Sequence, residues 1–199
     1  MTTFPAEPWD LHGHAYVGTW LLPRRLLPPP PSVSTEPVTI FGRGIVAAAF
    51  FVYEEPSPLT YNEVMTTVLV REGWRLRVAI THIWVDSPAS RDGGRALWAI
   101  PKELAEFEVA PHRSYAAQGI ASMTVRSGRR LPFRLPVGFK IAQDQDWKLL
   151  VSPVKGRLRP GTVKASWSFA PDGPLGFLAG QRPLLTLAAR PFRLLFGRR

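Results

Sequence analysis

A chain of 199 residues with 45% apolar residues suits one folded domain with a buried core. It has no cysteine, which excludes disulfides, thiolate metal sites and thiol nucleophiles. Its 25 basic and 15 acidic residues give a net charge of +10, which favours an anionic partner. Arginine carries most of that charge and is spread along the chain. A nucleic-acid reader concentrates its charge among aromatics, so neither nucleic acid nor membrane is expected as a partner. The pairs Arg129-Arg130 and Arg198-Arg199 sit beside turn-like or terminal residues. The opening MTTFPAEPWD places Glu7 and Asp10 where a leader needs basic and then apolar residues, so a cytoplasmic location is expected.

Residues 1–20 are aromatic and polar. His12 and His14 fall near a terminus expected to be mobile, and no third ligand accompanies them for a metal. A proline-rich stretch at about 21–37 follows. Its Pro28–Pro31 run must be extended, because each ring fixes its own φ and restricts its predecessor. It reads as a stiff connector anchored by Leu26 and Leu27, or as a polyproline ligand. Val38–Tyr53 is strand-like, with Gly42 and Gly44 as bend points.

Glu63–Val70 and Trp74–Asp86 form the clearest hairpin, joined by Arg71-Glu72-Gly73. Strict alternation puts Ile80, His82 and Trp84 on one face of its second strand, with Arg77, Ala79 and Thr81 on the other. Ser87 or Ser90 is expected to cap a short helix, with Asp92 in its first turn. Strands resume at Glu106–Ala110. A hairpin across Ser127-Gly128 is expected to join Gly119–Arg126 to Leu131–Leu135. Trp147–Val154 and Thr162–Phe169 read as another pair, Pro174–Gly180 as a short helix, and Leu184–Ala189 with Phe192–Phe196 as a terminal pair. The fold class is therefore mainly β: one domain over 1–199, antiparallel, with one or two short helices. No Walker loop, dinucleotide fingerprint or zinc-type histidine spacing is present, so no cofactor or metal is expected.

Lys102 stands out chemically. It is the first lysine in the chain, and it lies between Ala96-Leu97-Trp98-Ala99-Ile100-Pro101 and Leu104-Ala105. An ammonium in apolar surroundings loses hydration and its pKa falls. Reaching 7 from ~10.4 takes roughly 4–5 kcal/mol of differential destabilisation. A neutral amine can attack a carbonyl and form a Schiff base. A surface lysine lying along apolar neighbours is the plainer reading of the same composition.

Trp84-Val85-Asp86-Ser87-Pro88, followed by Gly94-Arg95-Ala96-Leu97-Trp98-Ala99-Ile100-Pro101-Lys102, resembles the signature of the acetoacetate decarboxylase family. In that signature an Asp-containing strand end leads into Gly-Arg, an aromatic-rich stretch and Pro-Lys-Lys. Tyr61-Asn62-Glu63 resembles the family's Tyr-x-Glu strand. The resemblance covers about 53–110 and implies a cone-like β-barrel around a small-molecule pocket, in a homo-oligomer. By motif position Lys102 is the Schiff-base lysine and Glu63 a pocket carboxylate that carries protons or orients substrate. Arg95 is the family arginine before the lysine, binding substrate or else holding Asp86 or a carbonyl. Apart from the resemblance, His82 shares the apolar face with Ile80 and Trp84 and reads as a carboxylate binder or general acid/base, or else as a satisfied core or pocket-lining histidine; with Trp98 it completes the expected substrate-binding set.

The sequence also departs from the pattern. Glu103 replaces the family's second lysine, and facing the pocket it would raise the Lys102 pKa. The early arginine expected near Val17–Leu22 is missing, and a second pocket glutamate falls at Ala48, with Glu54 and Glu55 nearby. These changes favour a substrate larger and more apolar than acetoacetate, against Trp84, Trp98 and Phe107. The expected function is a Schiff-base lyase on a small β-keto acid, most simply a decarboxylase. Aldol, retro-aldol or dehydratase chemistry through Lys102, or a non-catalytic binding barrel, are the alternatives.

Overall fold

The computed structural model describes residues 3–197. In chain order the strands are β1 (Trp9–Pro23), β2 (Glu36–Pro37), β3 (Thr39–Ile40), β4 (Arg43–Glu54), β5 (Tyr61–Glu72), β6 (Arg75–Val85) and β7 (Lys102–Leu104). They continue with β8 (Phe107–Ala110), β9 (Ser114–Ala117), β10 (Ala121–Arg130), β11 (Leu135–Gln145), β12 (Lys148–Phe169) and β13 (Leu185–Phe196). One α-helix, α1 (Pro88–Trp98), interrupts them, and 3-10 turns lie at Arg24–Leu26 and Gly176–Leu178. The chain is thus mainly β with little helix, as its β-branched and aromatic runs require.

The sheet follows the order β11-β6-β5-β4-β1-β13-β12-β10-β9-β8. Strand β11 pairs with β12 as well as with β6, so the first seven strands of that order close into a ring. The joints are antiparallel except β6–β11 and β6–β7, which are parallel. Alternation splits the apolar side chains between two faces. Tyr16, Trp20, Val46, Phe50 and Val64 belong to a packed core on one face. Trp9, Leu11, Ile80, Ile83 and Phe192 face the ring interior. Among the described residues, no helix is long and apolar enough to cross a membrane.

The β5–β6 hairpin forms with Gly73 at φ 58° in its turn. Other expectations need correction. The N-terminal residues are the long strand β1, paired on both sides by β4 and β13. Its His14 is buried against Glu54 and Tyr115 rather than mobile. The Ser127-Gly128 hairpin does not exist. Strand β10 runs straight through, and a Cβ at Gly128 would lie 2.7 Å from the Thr162 carbonyl oxygen. That glycine permits close backbone approach instead of a turn. Strand β12 unites the two runs expected as separate partners, passing Pro160 at a register shift, where a missing N–H is tolerated. Its true hairpin partner is β11, turned by Asp146 and Trp147 at φ 52° and 66°. The terminal pair is likewise one strand, β13, through Pro191. Arg198-Arg199 lie outside the described residues.

Candidate active site

The ring interior is a cavity of about 320 Å³, and all seven ring strands contribute to its wall. Lys102 enters it from the end of a short relay. Ser87 caps α1 by accepting from the Ser90 N–H, with Pro88 in the first turn. Asp92 lies beyond that turn and pairs with Arg91. The helix ends at Ala99, φ 52°, where the N–H groups of Ala99 and Ile100 donate to the carbonyls of Arg95 and Gly94. Strand β7 then pairs with β6, Lys102 beside Ile83. Alternation sends Lys102 inward and Glu103 outward. Glu103 is exposed and pairs with Arg95, so it does not bear on the lysine from within the pocket.

Lys102 is 4% exposed, and Glu63 from β5 is 2% exposed. The ammonium donates to Glu63 Oε2 at 2.8 Å, to Ser90 Oγ at 2.9 Å and to the Tyr61 hydroxyl at 3.3 Å. Three donors thereby meet three acceptors. The other carboxylate oxygen of Glu63 accepts from the Tyr53 hydroxyl at 2.9 Å. Burial pulls the Lys102 pKa down, but the Glu63 carboxylate, with Tyr61 beside it, outweighs burial and holds it above the ordinary lysine value. This reverses the direction expected from apolar flanking residues alone. Burial raises both Tyr53 and Tyr61, and Glu63 adds to each; Lys102 beside Tyr61 offsets part of its rise, and each phenol stays neutral.

Trp98 lines the cavity, set edge-on to Trp9, and its indole N–H donates to Glu7 at 2.9 Å. The cavity wall does not include Arg95 or His82. Arg95 donates from Nε to the Lys102 carbonyl at 2.7 Å and pairs with Glu103, contacts that hold the lysine backbone. His82 was expected beside Ile80, but a register shift at Thr66/Thr67 inserts Thr81 as a bulge and reverses the alternation. Its ring instead meets Trp84 and Phe177 in the packed core, and burial holds the imidazole below its ordinary pKa. Trp84 and Phe107 pack against the same core.

Ala48 is buried in that core too, while its neighbours Ala47 and Ala49 line the cavity. Neither Glu54 nor Glu55 reaches the cavity wall. No group of three His, Cys, Asp or Glu among the described residues converges to hold a metal ion. Sequence reasoning missed Tyr53 and Ser90. Tyr53 stands directly opposite Tyr61 across the β4–β5 hairpin, a pairing legible once that turn is recognised. Ser90 carries no such signal, since its role depends on α1 lying against β7.

The profile of the acetoacetate decarboxylase (ADC) family matches residues 22–165. The chain belongs to the acetoacetate decarboxylase family. A comparison with curated proteins finds no match. Among solved structures, acetoacetate decarboxylase from Legionella pneumophila subsp. pneumophila str. Philadelphia 1 aligns with TM-score 0.69 and 17% identity, over 100% of this chain and 89% of that one. The enduracididine biosynthesis enzyme MppR complexed with pyruvate aligns at 0.56 and 16%, over 98% and 89%. An acetoacetate decarboxylase-like enzyme from Sphingomonas wittichii RW1 aligns at 0.59 and 16%, over 97% and 91%. At these identities the likeness is one of fold.

Proposed function

We propose that this acetoacetate decarboxylase family member is a Schiff-base-forming lyase that decarboxylates a β-keto acid through Lys102. The observation that carries the reading is the Lys102–Glu63 contact, 2.8 Å, at the wall of an apolar cavity. Membership of the family supports the oxo-acid class, as does the pyruvate bound by a protein of the same fold. Homo-oligomerisation is part of the reading on the family resemblance, and sedimentation equilibrium tests it.

The resting lysine is a satisfied ammonium, so the first step is a proton transfer from Lys102 to Glu63. In an apolar site, two neutral groups compete with the ion pair because charge separation is costly there. The freed amine attacks the ketone carbon. Glu63 then delivers its proton to the carbinolamine oxygen, which leaves as water and yields a protonated imine. The bond to the carboxylate breaks, its electron pair moves into the iminium, and carbon dioxide departs from a neutral enamine. The enamine carbon takes a proton drawn from water through Glu63. Water adds to the resulting iminium, the ketone leaves, and Lys102 recovers its proton. One proton is consumed per oxo-acid anion.

Borohydride trapping with β-keto and α-keto acids, mapped by peptide mass spectrometry, tests this. A stable adduct on Lys102 that disappears in Lys102→Ala is expected. Folded protein that yields no adduct up to mildly alkaline pH instead identifies a non-catalytic binding barrel, which a lysine held above its ordinary pKa would suit. Condensation or dehydration through the same lysine is distinguished by its products. The protein of this fold bound to the condensation product of pyruvate and imidazole 4-carboxaldehyde favours including aldehydes in the panel.

Gly94 gives a second test. A Cβ there would lie 2.8 Å from Lys102 Cδ and 2.9 Å from Cε. The stem is flexible, but three acceptors hold its Nζ, so relief means moving the ammonium off Glu63. Gly94→Ala is expected to lower trapping about 100-fold, while the helix itself tolerates alanine better than glycine. Wild-type trapping in that variant would show that the lysine need not hold this position.

A further inference from the structure

We infer that the substrate is a β-keto acid carrying a long apolar tail, roughly six to ten carbons, lodged along the ring interior. This inference rests on the Schiff-base reading above and specifies its substrate class.

The first observation is the composition of the wall. Lys102 and Glu63 are its only charged residues among those described, and they neutralise each other. The hydroxyls of Tyr53 and Tyr61 are already engaged with the same pair, which leaves Thr67 as the one further polar side chain on the wall. A small, highly charged oxo acid would leave most of this surface without a partner. The wall offers no second cation to grip a carboxylate away from the lysine. The carboxylate must therefore lie next to the iminium that forms on Lys102. Its loss as carbon dioxide then removes a pair of opposite charges from apolar surroundings, the direction such surroundings favour.

The second observation is shape. From Glu63, the inward side chains of β5 are Met65 and Thr67, and the facing residues on β4 are Phe51, Ala49 and Ala47. Four residues of strand put Thr67 about 13 Å beyond the catalytic pair, a distance spanned by an extended chain of roughly ten carbons. On β4 the facing side chains shrink in that direction, from Phe51 to two alanines, which leaves room for a tail along that side of the wall. A cavity of 320 Å³ falls within the ~300–1,000 Å³ range of small-molecule pockets. The acid head of acetoacetate and its methyl group leave most of it empty. An apolar tail fills it while covering, beyond the catalytic pair, a single hydroxyl side chain, Thr67.

The experiment measures kcat/KM, with borohydride trapping in parallel, for a series of β-keto acids from acetoacetate to tails of about twelve carbons. The expected result is a rise of about threefold to fourfold per added methylene, to a maximum at roughly six to ten carbons. Titration calorimetry with the corresponding methyl ketones should show the same progression in affinity without requiring turnover. Ala49→Leu and Ala47→Leu add side chains to empty space and should not displace neighbours. Each should move the maximum to shorter tails while leaving the melting temperature unchanged or higher. Adducts on Lys102 with a rate that is flat or falls from acetoacetate onward would overturn the tail and leave the Schiff-base reading intact. So would an unmoved maximum in both folded alanine variants. No adduct with any member, alongside length-dependent ketone binding, would instead overturn the chemistry and keep the apolar-tail ligand class.

Discussion

Lys102→Met is expected to destabilise the protein by about 3–5 kcal/mol at pH 8. The loss comes less from the missing attraction than from what remains. Glu63 keeps one neutral donor, Tyr53, and is only 2% exposed, so solvent does little to compensate its charge. A lone carboxylate there either stays charged at high cost or takes up a proton. In the variant its folded-state pKa should therefore rise above the unfolded value of ~4.3. A raised folded pKa means that the folded state binds more protons. The variant's stability is then greatest near pH 4 and declines as pH rises through the folded pKa. Removing both charges, with Lys102→Met and Glu63→Leu together, should recover most of the loss, because an apolar pair needs no compensation in this wall. Urea unfolding at pH 5 and pH 8 reads all three proteins. A single variant that loses under about 1 kcal/mol at both pH values would mean that the pair is not shut away from solvent.

Glu63→Gln should separate imine formation from turnover. Removing the carboxylate removes the main influence that raises the Lys102 pKa, and burial, which lowers it, is left in place. The lysine should then fall below the ordinary value, and trapping should extend to lower pH than in the wild type. Turnover should nonetheless fall by about 10²–10⁴, the contribution of a positioned proton carrier. The comparison is made at saturating substrate, with trapping and product formation followed from pH 6 to 10. Trapping that retreats to higher pH would show that the carboxylate does not raise the lysine. Wild-type turnover would place the proton carrier elsewhere.

How far the sequence discloses this site depends on how local the determining contacts are. The β5–β6 hairpin is legible because its turn glycine and flanking strands are contiguous. Lys102 is legible because it is a solitary lysine in an apolar segment, and the spacing from Glu63 marks the family. Its charge state is not legible. Neighbours in sequence report burial, whereas Glu63, 39 residues away, decides the direction of the pKa. His82 shows a different obstacle. One bulged residue reverses every side chain beyond it, and Thr66, Thr67 and Thr81 carry no mark of where the extra residue falls. Ala48 fails for a related reason, since a one-residue difference in alignment exchanges the cavity wall for the packed core. Gly128 and Pro160 mislead because residues that commonly make turns also serve crowded or bulged strands. Only the partner strand tells the two uses apart.

The ring closes where β1 meets β13, and Asp10 and Arg193 hold each other across a separation of 183 residues. Such a joint lengthens the search during folding, because few native contacts form before distant segments meet. It also makes the chamber an all-or-none object. Strands β4 to β6 bring Glu63 and one side of the wall, and α1 with β7 brings Lys102, yet none of them encloses anything until β13 arrives. A nascent chain lacking that strand would carry both members of the buried ion pair in water, where the lysine is an ordinary ammonium. Reactivity at Lys102 should therefore appear late in refolding, together with the final closure and not with the first burst of sheet formation.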